Sequence, residues 1–164
     1  MCNLLLMQLS FWKAASLPHI ITAMKSRMRQ VAWRRLAPFG ISPQQFQLLM
    51  AVAEQDGRCH GDLARCTWMD KPTATRILRT LQDRGLVGTE PDPDHGRRIL
   101  YHLQPAALPL VDKLQDYRRT MREGMERGLG PEQKAQFREI VAVVMANLDR
   151  MEAELREAAP GNEE

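Results

Sequence analysis

Apolar side chains recur three and four positions apart along most of this chain, and the rhythm breaks once. Leu17, Ile20, Ile21, Met24, Met28 and Val31 keep helical spacing, which predicts an amphipathic helix over 17–37. Lys25, Arg27, Arg29, Arg34 and Arg35 fall on its other face. Ser16 suits the N-cap, Pro18 lies in the first turn where a missing N–H costs nothing, and Pro38 with Gly40 ends the helix. Ser42-Pro43-Gln44-Gln45 reads as a capping box with proline at the first helical position. Phe46, Leu49, Met50 and Ala53 continue that helix at i, i+3, i+4 and i+7, and Asp56-Gly57 stops it. A short helix fits His60 to Cys66, with Leu63 and Ala64 inward. Asp70 caps the next one, from about Lys71 to Arg84. Ala74, Ile77, Leu78 and Leu81 share one of its faces, and Gly85 is its left-handed stop.

The period then changes. Leu86-Val87-Gly88 leads into the turn cluster Pro91-Asp92-Pro93-Asp94-His95-Gly96, and Ile99 to Leu103 follows. Two short β-prone stretches around a Pro/Asp/Gly turn predict a hairpin, tipped by Arg97 and Arg98. The rest reads as two long helices, about 105–128 and 131–158, broken at Gly128-Leu129-Gly130-Pro131. Leu108, Val111, Leu114 and Met121 stripe the first; Phe137, Ile140, Val141, Val144, Leu148, Met151 and Leu155 stripe the second. These stripes exceed what one small core needs, and a second copy of the chain is the expected cover.

Charge sharpens this picture more than composition does. The chain has 164 residues, a hydrophobic fraction of 44% and a charged fraction of 26%, which excludes wholesale disorder and collagen-like repeats. The net charge is only +3, but residues 1–53 hold six basic side chains and no acidic one. Arginine outnumbers lysine eighteen to five, and its planar fork suits carboxylates and phosphates. Three cysteines make no disulfide framework and suit a reducing compartment, so a cytoplasmic location is expected. No apolar run approaches the ~18 residues of a membrane span.

Helix, helix, short helix, capped helix, hairpin is the order of a winged helix-turn-helix. The capped helix has a polar outer face of Lys71, Thr73, Thr75, Arg76 and Arg79. An arginine there can fork onto guanine; a threonine can donate, accept, or pack its methyl on thymine. Arginines at a hairpin tip suit a minor groove or its phosphates. The expected fold is mainly α with a small β-hairpin wing. Residues 1–40 and 105–164 are expected to supply dimerisation helices, and 41–104 the DNA-binding lobe.

The segments Gly40-Ile41-Ser42-Pro43-Gln44-Gln45-Phe46, Asp62-Leu63-Ala64-Arg65, Asp70-Lys71-Pro72-Thr73-Ala74-Thr75-Arg76, Leu81-Gln82-Asp83-Arg84-Gly85-Leu86-Val87 and Glu90-Pro91-Asp92-Pro93-Asp94-His95-Gly96-Arg97-Arg98 resemble the multiple-antibiotic-resistance regulator (MarR) family of bacterial transcription factors. The resemblance spans residues 17–157, most of the chain. It implies a homodimeric repressor on a pseudo-palindromic operator in double-stranded DNA, released by a small aromatic or phenolic effector. It implies that Thr73, Thr75, Arg76 and Arg79 face the major groove, with Lys71 and the helix start at His60 near phosphates. Arg97 or Arg98 enters the minor groove, with Asp94 orienting an arginine. Effector candidates are Trp12, His19 and Trp33, with Arg34 or Arg35 as a carboxylate partner. Trp68 departs from the pattern, standing where the family often has glycine.

Metal and enzyme readings find little support. Cys59 and Cys66 on one helix would lie roughly 10 Å apart, too far to share a zinc or a disulfide. No phosphate-cradling glycine loop, zinc-protease helix or nucleophile elbow occurs, so no cofactor, metal or catalytic activity is expected. The alternative to a specific regulator is a lobe that binds DNA without sequence preference, or binds protein.

Overall fold

The structure, a computed structural model, describes residues 14–158. Chain contacts divide it into two compact units, residues 1–117 and 118–164. The first unit holds α1 (Leu17–Leu36), α2 (Pro43–Glu54), β1 (Arg58–Cys59), α3 (His60–Cys66), α4 (Lys71–Asp83), β2 (Val87–Pro91) and β3 (Ile99–Leu103). It also holds the first half of α5 (Leu108–Glu126), which runs across the boundary. Short 3-10 turns at Ala37–Phe39 and Pro105–Ala107 replace the last residues expected of α1 and the first expected of α5.

Two of the three caps read from the sequence close with side-chain hydrogen bonds, while Ser16 stands at the N-cap of α1 without one. Gln45 N–H donates to Ser42 Oγ at 3.1 Å and Ser42 N–H donates to Gln45 Oε1 at 2.8 Å, which closes the box on α2. Thr73 N–H donates to Asp70 Oδ1 at 2.8 Å and starts α4. The core gathers the predicted faces of α3 and α4, but on α2 it takes Leu48 and Val52, outside the predicted stripe, while Phe46 and Ala53 are only half-buried. Leu48, Leu49 and Val52 from α2, Leu63 from α3, and Leu78 and Leu81 from α4 are fully buried, together with Leu36, Ile41 and Leu114. Phe46 meets Tyr117 edge to face at 5.1 Å, which seats α5 on α2.

The sheet has three antiparallel strands in the order β1-β3-β2. The hairpin register pairs Val87 with Leu103 and Pro91 with Ile99. Pro91 lies on an edge strand, where its missing N–H breaks no ladder. The sequence did not predict β1. Two residues make no period, and only pairing of Arg58 with Tyr101 and Cys59 with Leu100 creates the strand.

The second unit holds the end of α5 and α6 (Pro131–Ala158). Lys134 Nζ pairs with Glu126 Oε2 at 2.8 Å across the intervening turn, and that hydrogen bond holds the Glu126 carboxyl below its usual range. No residue of α6 is buried. Phe137, Ile140, Val143, Leu148, Met151 and Leu155 are all more than half exposed. In α1 likewise, Leu17, Ile21, Met24 and Met28 are exposed and Leu36 alone is buried. No helix among the described residues is long and apolar enough to cross a membrane.

Candidate nucleic-acid interface

α4 has two faces of opposite character. Ala74, Ile77, Leu78 and Leu81 are buried, while Lys71, Thr75, Arg76 and Arg79 are exposed. Thr73 is half-buried, with its backbone bonded to the Asp70 cap. That bond lowers the Asp70 carboxyl from its ordinary value, with a smaller contribution from the positive charge of Arg76.

His60, at the start of α3, reaches this face directly. Its Nε2 lies 2.8 Å from Thr75 Oγ1. Thr75 Oγ1 also donates to the Lys71 carbonyl at 2.9 Å.

The wing is anchored to the same end of α3. Arg98 donates from its NH2 to Cys59 Sγ at 3.2 Å and lies 3.7 Å from Asp62 Oδ2. Its Nε lies 3.7 Å from Asp92 Oδ2. Arg98 of the wing thus holds Cys59 and Asp62, between which His60 lies in the chain, and His60 bonds the outer face of α4. The wing and α4 therefore both bond to one short helix start.

This separates the two wing arginines, which the sequence left equivalent. Arg98 is a strut. Arg97 is exposed and has no polar partner among the described residues. The acidic partner also differs from the one expected: Asp92, not Asp94, faces the arginine. Asp92 Oδ1 accepts the N–H of Asp94 at 3.0 Å, and Asp92 N–H donates to the Arg98 carbonyl at 2.9 Å. The side chain that opens such an Asx turn is held inside it, so Asp92 is the carboxylate positioned to meet Arg98. That signal was present in Asp92-Pro93-Asp94. The parts played by Cys59 and Asp62 had no local signal.

Below the wing, His102 Nδ1 lies 2.8 Å from Asp56 Oδ2 and its Nε2 lies 3.0 Å from Glu90 Oε1. The second contact lacks hydrogen-bond alignment, so it acts as an ion pair when the ring is protonated. Asp56 Oδ1 also accepts the N–H of Leu103 at 2.9 Å. The His102 bond, then the Leu103 bond, hold the Asp56 carboxyl below its ordinary value of 3.8.

Trp68 follows α3 with a left-handed backbone, φ 55, and its side chain is 77% exposed. Met69 N–H donates to Ala64 O at 3.0 Å and Trp68 N–H to Arg65 O at 3.2 Å, the paired bonds of a Schellman stop. The turn keeps the shape glycine would favour, with tryptophan in the glycine position.

Of the effector candidates, Trp12 lies outside the described residues. His19, Trp33 and Arg34 lie exposed on α1. Fourteen residues of helix separate His19 from Trp33, a rise of ~21 Å. Within one chain, Trp33 and Arg34 are therefore adjacent but His19 does not join them.

Residues 39–98 match the model of the MarR family. A solved MarR family transcriptional regulator from Silicibacter pomeroyi is 25% identical; the match covers 79% of this chain and 88% of that one, with a TM-score of 0.68. MepR of S. aureus in complex with DNA is 21% identical, covering 81% and 98%, with a TM-score of 0.75. BpsR of Bordetella bronchiseptica, whose DNA binding is regulated by 6-hydroxynicotinic acid, is 19% identical, covering 79% and 98%, with a TM-score of 0.70. These last two likenesses speak for the fold alone. The chain spans about half the length of the curated relatives it matches, which are named as transcriptional regulators.

Proposed function

We propose that this chain, whose residues 39–98 match the MarR family model, is a member of that family and a sequence-specific DNA-binding transcriptional regulator. It acts as a repressor, holds a pseudo-palindromic operator as a homodimer, and leaves it when a small aromatic or phenolic effector binds. The observation that carries this reading is the line of contacts from wing to α4. Arg98 ties the wing to the α3 start, His60 ties that start to the exposed Lys/Thr/Arg face of α4, and Arg97, next to Arg98 in the chain, is exposed.

Each part then has a task. Arg76 and Arg79 offer forks to guanine edges in the major groove. Lys71, as a compact point charge, and the α3 start near His60 meet phosphates. Arg97 enters the minor groove, and Arg98 holds the wing against α3. The open stripes of α1 and α6 are covered by a second copy, which spaces two lobes for successive half-sites. The effector reading is supported by the shared fold with BpsR, and by Trp33 beside Arg34, an aromatic surface next to a carboxylate partner. An effector can release DNA only by its difference in affinity for the two dimer states.

Selection from a random duplex library at physiological salt tests the reading. An enriched inverted repeat with half-sites about one helical turn apart is expected. On that site Arg76→Ala should cost roughly 1–3 kcal/mol and relax preference at one base pair. A uniform loss across sequences would mean DNA binding without sequence preference. Unchanged affinity in Arg76→Ala would point to a protein partner for the lobe.

A further inference from the structure

We propose that Thr75 reads a thymine methyl group and that His60 is the positioning residue that turns it to do so. The inference rests on α4 being the helix that enters the major groove. A threonine at that place could use its hydroxyl or its methyl on a base edge. Here the hydroxyl is already engaged. Oγ1 lies 2.9 Å from the carbonyl oxygen of Lys71 and 2.8 Å from Nε2 of His60. A carbonyl can only accept, so the single hydroxyl hydrogen goes to Lys71. His60 Nε2 must then carry a hydrogen and donate it to Oγ1, which fixes the imidazole tautomer.

The donor of Thr75 is thus consumed within its own helix, and one of its two acceptor positions is taken by His60. Oγ1 is bent back onto the preceding turn, and a β-branched side chain has few other rotamers to visit. What exposed Thr75 retains for a base is its methyl and one acceptor position turned back toward its own helix. The apolar feature of the major groove is the C5-methyl of thymine. His60 is in turn held in place, because its neighbours Cys59 and Asp62 receive Arg98 from the wing. Readout by α4 is therefore coupled to seating of the wing.

Deoxyuridine lacks only that methyl, so it isolates the contact. Each thymine of the selected site is replaced in turn by deoxyuridine, and affinity is measured for wild type and variants. At one position in each half-site, wild-type affinity should fall about fourfold, the transfer value of one buried carbon. Thr75→Ser keeps the hydroxyl and should be indifferent at that position. His60→Ala should lose most of the discrimination, and His60→Gln, which restores an N–H donor, should regain it. Thr75→Val should discriminate whether or not His60 is present. The thymine-to-uracil ratio is taken within one protein, so a general loss of stability cancels. Full discrimination in Thr75→Ser or in His60→Ala overturns the proposal, as does a selected site with no uracil-sensitive thymine. A library that yields no preferred sequence overturns the reading of α4 itself, and this inference with it.

Discussion

Trp68 and Gly85 end two consecutive helices of the lobe by the same hydrogen-bond pattern. Gly85 adopts φ 67 without a Cβ penalty; Trp68 adopts φ 55 with one, roughly 1–2 kcal/mol. Its ring, mostly in solvent, recovers little of that by burial. Trp68→Gly relieves the strain but frees the unfolded chain, an offset of about 0.5–1 kcal/mol. The net expectation is a gain of about 0.5–1 kcal/mol, read as a higher urea midpoint at unchanged slope; a lower midpoint would show that the ring packs in solution. The wing arginines make a second prediction at this scale. Arg97→Ala should weaken DNA binding at every sequence and reduce the salt slope by about one. Arg98→Ala should instead raise amide exchange across β2 and β3, because it removes the contacts to Cys59, Asp62 and Asp92. Equal effects from the two variants on both measurements would refute the division of labour.

Among the elements, the sheet depends on a polar clasp as much as on its ladder. Asp56, in the turn before β1, holds both the His102 ring and the Leu103 backbone of β3. Its carboxyl titrates below 3.8 in the folded chain, so the native state favours the ionised form. The stabilisation is complete above the unfolded value and is lost as pH falls through the folded one. The stability gap between wild type and Asp56→Asn should therefore shrink as pH falls below about 4. Thermal midpoints across that range measure it, and a gap that stays level down to pH 2 would remove Asp56 from the clasp.

For the whole molecule, the decisive fact is apolar surface without cover. α6 runs 28 residues with none buried, and six of its large apolar side chains are more than half exposed. A solvated helix of that composition would make a patch far beyond what monomers usually expose. Under the proposed dimer, folding and association are one equilibrium. Light scattering at micromolar concentration should show about twice the 18.8 kDa chain mass. A folded particle of single-chain mass would sink the dimer. Leu148→Glu, a charge in the middle of the stripe, should lower the melting temperature and make it steeply concentration-dependent.

The sequence by itself determined what depends on neighbours a few residues away. Helical period, the Ser42 and Asp70 caps, the Gly85 stop and the Pro/Asp turn act within one or two turns of chain, and the structure repeats each of them. The polar outer face of α4 follows from its apolar one for the same reason. Tertiary structure alone decided which of these residues meet. β1 exists only because β3 pairs with it. His60 and Thr75 are 15 residues apart, Cys59 and Arg98 are 39 apart, and Asp56 and His102 are 46 apart. No local pattern encodes such pairs, because closing a loop of that length leaves no trace in spacing. The choice between Arg97 and Arg98, between Asp92 and Asp94, and between the hydroxyl and methyl of Thr75 therefore waited for the fold.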